Sequence, residues 1–239
     1  PLIMACAGGS THTAKEREVA LSTQNMGEEH YRNGDHTAAL KSLLEAQKTL
    51  PDSPTLHNSL GLVYLAKNRA DLAVPHFKKA LSLKADYPQA RNNLGGAYMK
   101  LEQWDKAIAA FEKVADNLLY PTPEMPLSNL GWVHFHQDRY KKARFYFNQA
   151  LDIRPDFLNA VHGLAAILIQ QKKYYRAKDF IQKALEKSPG AAILHADLAR
   201  TYERLGNDIK ARKAWVVVTK LVPQSSPLAR EARRRLADR

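Results

Sequence analysis

The nine histidines are the side chains of this 239-residue chain best suited to bind a metal ion or move a proton. They form no HExxH motif and no pair spaced i, i+4. His134 and His136 are two residues apart, which directs them to different faces of a helix. Gly95 and Gly96 lie within an expected helix, so they do not form a phosphate-binding loop. We therefore predict that the chain is not an enzyme and has no catalytic, metal or cofactor site.

The single cysteine, Cys6, offers a different kind of chemistry, because its thiol can be acylated. It follows a short apolar stretch and precedes small and polar residues, which is typical of the end of a bacterial lipoprotein signal peptide. An incidental cysteine in a flexible terminus is the alternative. Residues 1–13 are accordingly interpreted as a signal-peptide remnant, a lipobox and a tether, and several acyl chains on Cys6 would give a stable membrane anchor. Ala7, directly after the cysteine, favours the outer membrane, on its periplasmic face.

A 34-residue period runs through most of the remaining chain. One slot of the period always holds alanine: Ala39, Ala73, Ala107, Ala143, Ala177 and Ala211. Twelve residues earlier, the residue is always small: Gly27, Gly61, Gly95, Gly131, Ala165 and Ala199. Four residues after the alanine stands a bulky knob: Leu43, Phe77, Phe111, Phe147, Ile181 and Trp215. Four segments close with a proline: Pro51, Pro155, Pro189 and Pro223. This is the pattern of the tetratricopeptide repeat, a pair of helices called A and B.

The period predicts an all-α fold, a right-handed superhelix of six helix-turn-helix repeats over residues 14–225. The small slots allow helices A and B of one repeat to cross closely, with the knob packed at the crossing. The first helix A is expected to begin near Ala14. Residues 226–239 are predicted to form a capping helix that docks through Leu228, Ala232 and Leu236, spaced i, i+4, i+8.

The concave wall of such a superhelix is the predicted binding site, because its A helices face a solvent-filled groove. An apolar strip in a groove indicates a place for a protein segment. The residues expected on this wall are Leu62, Leu65, Met99, Trp132, Phe135 and Ile169, with Asn92 and Asn93 available to hydrogen-bond an extended partner. Glu28 and Tyr31 interrupt the apolar pattern in the first repeat. Burial of Trp132 and Phe135 by a neighbouring helix is the alternative interpretation.

The net charge of +12 is unevenly distributed along the chain. Residues 1–53 carry 5 basic and 7 acidic side chains, whereas residues 190–239 carry 11 and 5. Four arginines of the last helix form a secondary basic surface: Arg230, Arg233, Arg234 and Arg235. Solvated helix faces are one interpretation of this charge, and an acidic partner or anionic envelope polymer is the other. Helical repeats that read RNA bases lack this Gly/Ala register, so we expect no nucleic-acid partner.

The chain resembles the type IV pilus biogenesis lipoproteins of the PilF, PilW and Tgl kind. The resemblance is carried by six repeats after a lipid-type cysteine, by the segment Arg91-Asn92-Asn93-Leu94-Gly95, and by the insertion Leu119-Tyr120-Pro121-Thr122-Pro123. It implies a monomeric pilotin, an outer-membrane lipoprotein that binds the pilus secretin and promotes its localisation and multimer assembly. A general periplasmic adaptor, for example one that docks cell-wall enzymes, would have the same anchor but different partners.

Overall fold

The computed structural model describes residues 12–117 and 119–238, so Cys6 and the anchor predicted there lie outside the described residues. All the regular elements in those ranges are α-helices, which confirms the all-α prediction. They are α1 (Ala14–Arg32), α2 (His36–Thr49), α3 (Pro54–Ala66), α4 (Ala70–Leu83), α5 (Pro88–Lys100), α6 (Trp104–Ala115), α7 (Glu124–His136), α8 (Tyr140–Ile153), α9 (Leu158–Gln170), α10 (Tyr174–Lys187), α11 (Ala192–Arg204), α12 (Asp208–Leu221) and α13 (Pro227–Ala237).

The helices group into two compact units, with the boundary between Ala110 and Phe111 inside α6. In unit 1, α1 pairs with α2 and α3 with α4, and each second helix packs on the first helix of the next pair. In unit 2, α7 pairs with α8, α9 with α10 and α11 with α12, while α13 packs on α12 and α11. The first helix of each pair is hereafter an A helix and the second a B helix.

Close helix crossings at the glycine slots confirm the predicted packing. A Cβ atom at Gly61 would lie 2.5 Å from Cε1 of Phe77, and one at Gly131 would lie 2.6 Å from Cδ1 of Phe147. Contacts this short exclude any side chain at either slot while the knob keeps its place. Phe77 and Phe147 are fully buried, so neither ring has room to move away.

The helix ends follow from local signals. Thr13 and Glu16 form a capping box, in which Thr13 Oγ1 accepts from the Glu16 N–H and Glu16 Oε2 accepts from the Thr13 N–H at 2.7 Å. This cap starts α1 at Ala14, as predicted. The closing prolines Pro51, Pro155, Pro189 and Pro223 each lie two residues beyond the end of a B helix, where proline cannot continue the helix.

One left-handed residue stands in the turn between A and B in every repeat. Within residues 12–117 and 119–238, the residues with positive φ are Gly34 (81°), Asn68 (59°), Glu102 (56°), Asp138 (58°), Lys172 (56°) and Gly206 (71°). Glycine adopts this conformation freely, whereas Glu102 and Lys172 do so at a cost in backbone energy. The turn geometry therefore repeats even where the residue type does not favour it.

Candidate functional site

The predicted groove residues all lie on A helices, and they are divided between the two units. Leu62, Leu65 and Met99 belong to α3 and α5 of unit 1, and each is half-buried. Trp132, Phe135 and Ile169 belong to α7 and α9 of unit 2 and are also half-buried. Each unit thus presents partly exposed apolar side chains on its A helices, a surface called here the A-helix face of that unit.

Polar side chains join neighbouring A helices in unit 1. Asn93 Nδ2 on α5 donates to Asn58 Oδ1 on α3 at 2.9 Å, and Asn58 is 9% exposed. Asn92, at 8% exposure, is buried beside them. These contacts make the asparagines part of the packing between helices, and their predicted bonds to a partner stay a prediction. Buried amides of this kind must find hydrogen-bond partners, which fixes the register of one A helix on the next.

A second group of polar contacts joins α1 to α3. Gln24 Nε2 donates to Glu28 Oε1 at 2.9 Å and to Thr55 Oγ1 at 3.2 Å. Ser59 Oγ donates to the same Glu28 Oε1 at 2.8 Å. Because a carboxylate accepts and does not donate, these bonds orient the Gln24 amide with its nitrogen towards Glu28. Gln24 is 6% exposed, and its Oε1 has no hydrogen-bond partner.

A groove of about 560 Å³ opens on this part of the A-helix face of unit 1. It is called here the Glu28 groove. Its lining residues come from α1, α3 and the residue before α5: Leu21, Gln24, Asn25, Glu28, Tyr31, Arg32, Thr55, Asn58, Ser59, Leu62 and Tyr87. The groove thus combines one carboxylate, two tyrosine rings and the apolar Leu62, with the exposed Arg32 at its edge.

The pKa of the Tyr87 hydroxyl reflects the charges in the Glu28 groove. Burial raises the pKa of the Tyr87 hydroxyl, and the negative charge of Glu28 raises it further. Both effects disfavour a second negative charge in this place. The Tyr87 ring also meets a cation, because Lys84 Nζ lies 5.2 Å from the ring centroid. Glu28 therefore contributes a negative charge to the groove, opposite in sign to Arg32 at its edge and to the net charge of the chain.

In unit 2, the predicted aromatic anchor Trp132 takes part in both the core and the A-helix face. Its ring centroid lies 5.4 Å from that of Phe147 and 5.3 Å from that of Phe135, in edge-to-face arrangements. Its Nε1 donates to Asn159 Oδ1 on α9 at 3.0 Å. The adjacent helices therefore cover part of Trp132, as the alternative interpretation expected, and the remaining half-buried surface is what a partner could contact.

Polar contacts also continue along the A helices of unit 2. Asn159 donates to Ser128 Oγ at 3.0 Å, and His162 Nδ1 lies 2.6 Å from Asp197 Oδ2. Asp197 is 2% exposed and also accepts from Arg200, whose guanidinium reaches Glu231 on α13 at 2.6 Å. This network ties the last helix to the last A helix.

The arginines of α13 differ in their surroundings. Arg230, Arg233 and Arg234 are exposed, as expected for a basic surface. Arg235 is less exposed than these three: it is half-buried, its Nη1 lies 3.6 Å from Glu203 Oε2, and it lines a cavity of about 400 Å³ beside Trp215. The reason is the docking of α13 through Leu228, Ala232 and Leu236, which turns the side chain of Arg235 towards α11 and α12.

Sequence reasoning missed Gln24 and Tyr87 as lining residues. A signal for Gln24 was present, since the position three residues before the small slot is polar in five repeats: Gln24, Asn58, Asn92, Ser128 and His162. The first four of these are buried. A buried polar residue at a fixed place in the period indicates hydrogen bonding between repeats. Tyr87 lies in the connection before α5 and had no such signal.

Two further properties of the described residues bear on function. Within residues 12–117 and 119–238, no group of three or more His, Cys, Asp or Glu side chains is placed to hold a metal ion. In the same ranges, none of the helices has the length and apolar character needed to cross a bilayer.

Comparison with protein families gives tetratricopeptide-repeat models over residues 25–89 and 86–156. A model described as anaphase-promoting complex, cyclosome, subunit 3 matches residues 136–214. Among curated proteins, the protein O-mannosyl-transferase TMTC3 of Mus musculus is 26% identical over 181 residues. That match spans 76% of this chain but only 17% of the mouse protein, so the chain covers less than a fifth of this relative.

Solved structures match over nearly the whole chain. The crystal structure of PilW, described as a widely conserved type IV pilus biogenesis factor, has a TM-score of 0.72 and 23% identity, covering 89% of this chain and 97% of PilW. The structure of PilF of Pseudomonas aeruginosa has a TM-score of 0.67 and 20% identity, covering 94% of this chain and 100% of PilF. Likeness at this level of identity establishes the fold of the chain.

Proposed function

Since the chain is a tetratricopeptide-repeat protein, we propose that it acts as a pilotin, an adaptor that binds the type IV pilus secretin and promotes its assembly in the outer membrane. The observation that carries the proposal is the likeness to PilW and PilF along their length. It covers 97% of PilW and 100% of PilF, and 89% and 94% of this chain. A repeat array with partly exposed apolar residues on its A helices is suited to hold a protein segment.

The proposed contact surface is the A-helix face of each unit. Leu62 and Met99 would contact the partner in unit 1, and Trp132 and Phe135 in unit 2. Aromatic residues provide large contact areas with few rotatable bonds, so they are common anchors of protein interfaces. Truncating such an anchor typically weakens binding by about 2 kcal/mol, which is roughly thirtyfold in affinity.

The test is secretin assembly in the native host. Phe135→Ala and Leu62→Ala should each reduce the secretin multimers recovered from the outer membrane. Phe145→Ala is the matched control, because this aromatic residue lies on the B helix α8 and is 57% exposed. Circular dichroism should show unchanged helix content in all three variants. Normal assembly by both A-helix variants, together with failure after charge reversal of Arg233 and Arg234, would move the binding surface to the basic end of the chain.

Recovery of the wild-type complex separates the pilotin from a general adaptor. The secretin should co-purify with the protein from solubilised membranes. Recovery of cell-wall enzymes without any secretin would favour the general periplasmic adaptor and overturn the pilotin proposal.

The proposed anchor is acylation of Cys6, which would hold the protein at the periplasmic face of the outer membrane. Mass spectrometry of protein isolated from membranes should show acyl chains on Cys6, and Cys6→Ser should release a folded protein from the membrane fraction. An unmodified Cys6 in membrane-associated protein would contradict lipid anchoring.

A further inference from the structure

We propose that the Glu28 groove binds a basic side chain, lysine or arginine, presented by an extended segment of a protein partner. The proposal deepens the proposed function, because it states the chemistry that the partner segment must have. Its first support is the carboxylate of Glu28, a half-buried group that lines the groove. Oε1 of this carboxylate accepts from Gln24 and Ser59, so its orientation is fixed. Oε2 makes no hydrogen bond to the described residues and is free to accept from an occupant.

The second support is the amide of Gln24 beside Glu28. Its Nε2 donates to Glu28 Oε1 and to Thr55 Oγ1, and its Oε1 is enclosed by the protein, so the acceptor left for an occupant is Oε2 of Glu28. An ammonium or guanidinium group carries several N–H donors and no acceptor, which fits this carboxylate oxygen.

The third support is the aromatic wall of the groove. Tyr31 and Tyr87 both line it, and the face of a tyrosine ring attracts cations, as the contact of Lys84 with the Tyr87 ring illustrates. The aliphatic stem of a lysine or arginine would pack on Leu62, while the charged end reaches Glu28. Local charge agrees with this occupant, because residues 1–53 carry a net negative charge while the chain as a whole carries +12.

Arg32 is the one cation in the lining, and it is exposed one helical turn beyond Glu28. It makes no ion pair with Glu28 among the described contacts. Because Arg32 is one turn from Glu28, it repels a cation at Glu28 too, and the attraction of the carboxylate must outweigh this repulsion. Arg32 also gives the groove a direction, since an acidic or carbonyl group of the segment would be placed towards it.

A binding experiment with small probes tests the groove without any partner. N-acetyl-lysine amide is titrated into the isotope-labelled full chain and compared with N-acetyl-norleucine amide, which has a similar aliphatic side chain but lacks the charge. The lysine probe should give saturable shifts of the Gln24 side-chain amide signals, and the norleucine probe should not. The affinity for the lysine probe should also fall severalfold as the salt concentration rises.

Glu28→Gln is the matched variant, because it removes the charge and keeps the shape. It should weaken lysine binding by about tenfold or more, whereas Glu29→Gln, on an exposed neighbouring position of α1, should bind as the wild type does. Equal shifts from the two probes, or unchanged lysine binding by Glu28→Gln, would overturn the proposal. If Glu28→Gln fails to fold, the salt dependence and the probe comparison on the wild type decide the matter.

Secretin capture then links the groove to the proposed function. If the wild type captures secretin and Glu28→Gln does not, both proposals stand. If both capture it equally, the groove is not where the secretin segment binds and this inference fails alone. If the wild type captures no secretin, the pilotin proposal fails, and the probe titration still decides whether the groove binds a basic side chain.

Discussion

Phe147 packs against the backbone of Gly163, so closely that a Cβ atom at the glycine would lie 2.2 Å from Cζ of the ring. Gly131 meets the same ring at 2.6 Å. The ring is thus held between its own A helix, α7, and the next one, α9. Phe147 is fully buried, so it cannot move aside for an added methyl group.

Gly163→Ala should therefore destabilise unit 2. Overpacking of a dense core costs about 1–3 kcal/mol, and the loss is measured as a lower denaturant midpoint. Gly96→Ala is the matched control in α5, where a Cβ atom would meet nothing within 4 Å. That variant should gain up to about 1 kcal/mol from helix propensity. Equal stabilities of the two variants would contradict the packing of Phe147.

The turn residues with positive φ predict a substitution that raises stability, whereas Gly163→Ala lowers it. Lys172 has a φ of 56°, a conformation that costs a side-chain-bearing residue roughly 1 kcal/mol, so Lys172→Gly should raise stability by up to about that amount. Gly206→Ala, at a φ of 71°, should lower it. Thermal unfolding of the two variants checks the pair, and a less stable Lys172→Gly would argue against a left-handed turn at that residue.

The histidine pair of unit 1 predicts acid sensitivity. His57 Nε2 lies 2.9 Å from the Pro51 carbonyl and must carry the proton there, so Nδ1 of His57 accepts from Nδ1–H of His76 at 3.0 Å. Burial, followed by the influence of His57, holds the pKa of His76 below its ordinary value of 6.5. The unfolded chain therefore binds this proton more readily than the folded chain does. The contribution of neutral His76 to the free energy of unfolding is complete above pH 6.5 and is lost as pH falls through the lowered pKa of His76.

Thermal unfolding at pH 7.5 and at pH 5 measures this loss. His76→Gln keeps an N–H donor for His57 and cannot be protonated, so it should reduce the difference between the two conditions. A remaining difference is expected, because burial and nearby Lys142 and Arg139 also lower the pKa of His134 in unit 2. A wild type as stable at pH 5 as at pH 7.5 would contradict this account.

The ion pair between Arg200 and Glu231 predicts how the last helix is held. Burial alone would raise the pKa of Glu231, but its hydrogen bond with Arg200 and the nearby positive charges lower it overall. Glu231→Gln should therefore speed amide hydrogen exchange in α13 while the exchange of α11 changes less. Glu186→Gln, at an exposed position of α10, is the control. Unchanged exchange in α13 would indicate that Leu228, Ala232 and Leu236 hold the helix without the ion pair.

The sequence was most informative where one residue type has one physical use. Glycine at positions 27, 61 and 131 predicted a close approach, and each approach is present, at 2.8 Å from Leu43 Cγ, 2.5 Å from Phe77 and 2.6 Å from Phe147. The contact of Gly163 was missed because it depends on the neighbouring repeat, at a position where other repeats hold Asn25, Ser59 and Asn93. The turns at Glu102 and Lys172 were missed because neither residue type favours a positive φ.

The candidate site was predicted less completely for a related reason. Periodicity identified the A helices and their apolar residues, and it treated Glu28 and Tyr31 as interruptions. The groove at Glu28 forms because those interrupting side chains meet Thr55, Ser59 and Tyr87 from later parts of the chain. These contacts join residues far apart in the sequence, and no periodic pattern of residue types predicts them.

The spacing of the knobs and slots also bears on how fast the chain reaches its native state. Gly61 and Phe77 are 16 residues apart, and the bond from Asn93 to Asn58 joins residues 35 apart. Among the helix contacts that the structure describes, the two helices are separated by at most one other helix along the chain. Local contacts of this kind close short loops first, which favours fast folding of each unit. Within each unit, a single helical hairpin can therefore serve as a nucleus from which order spreads to its neighbours.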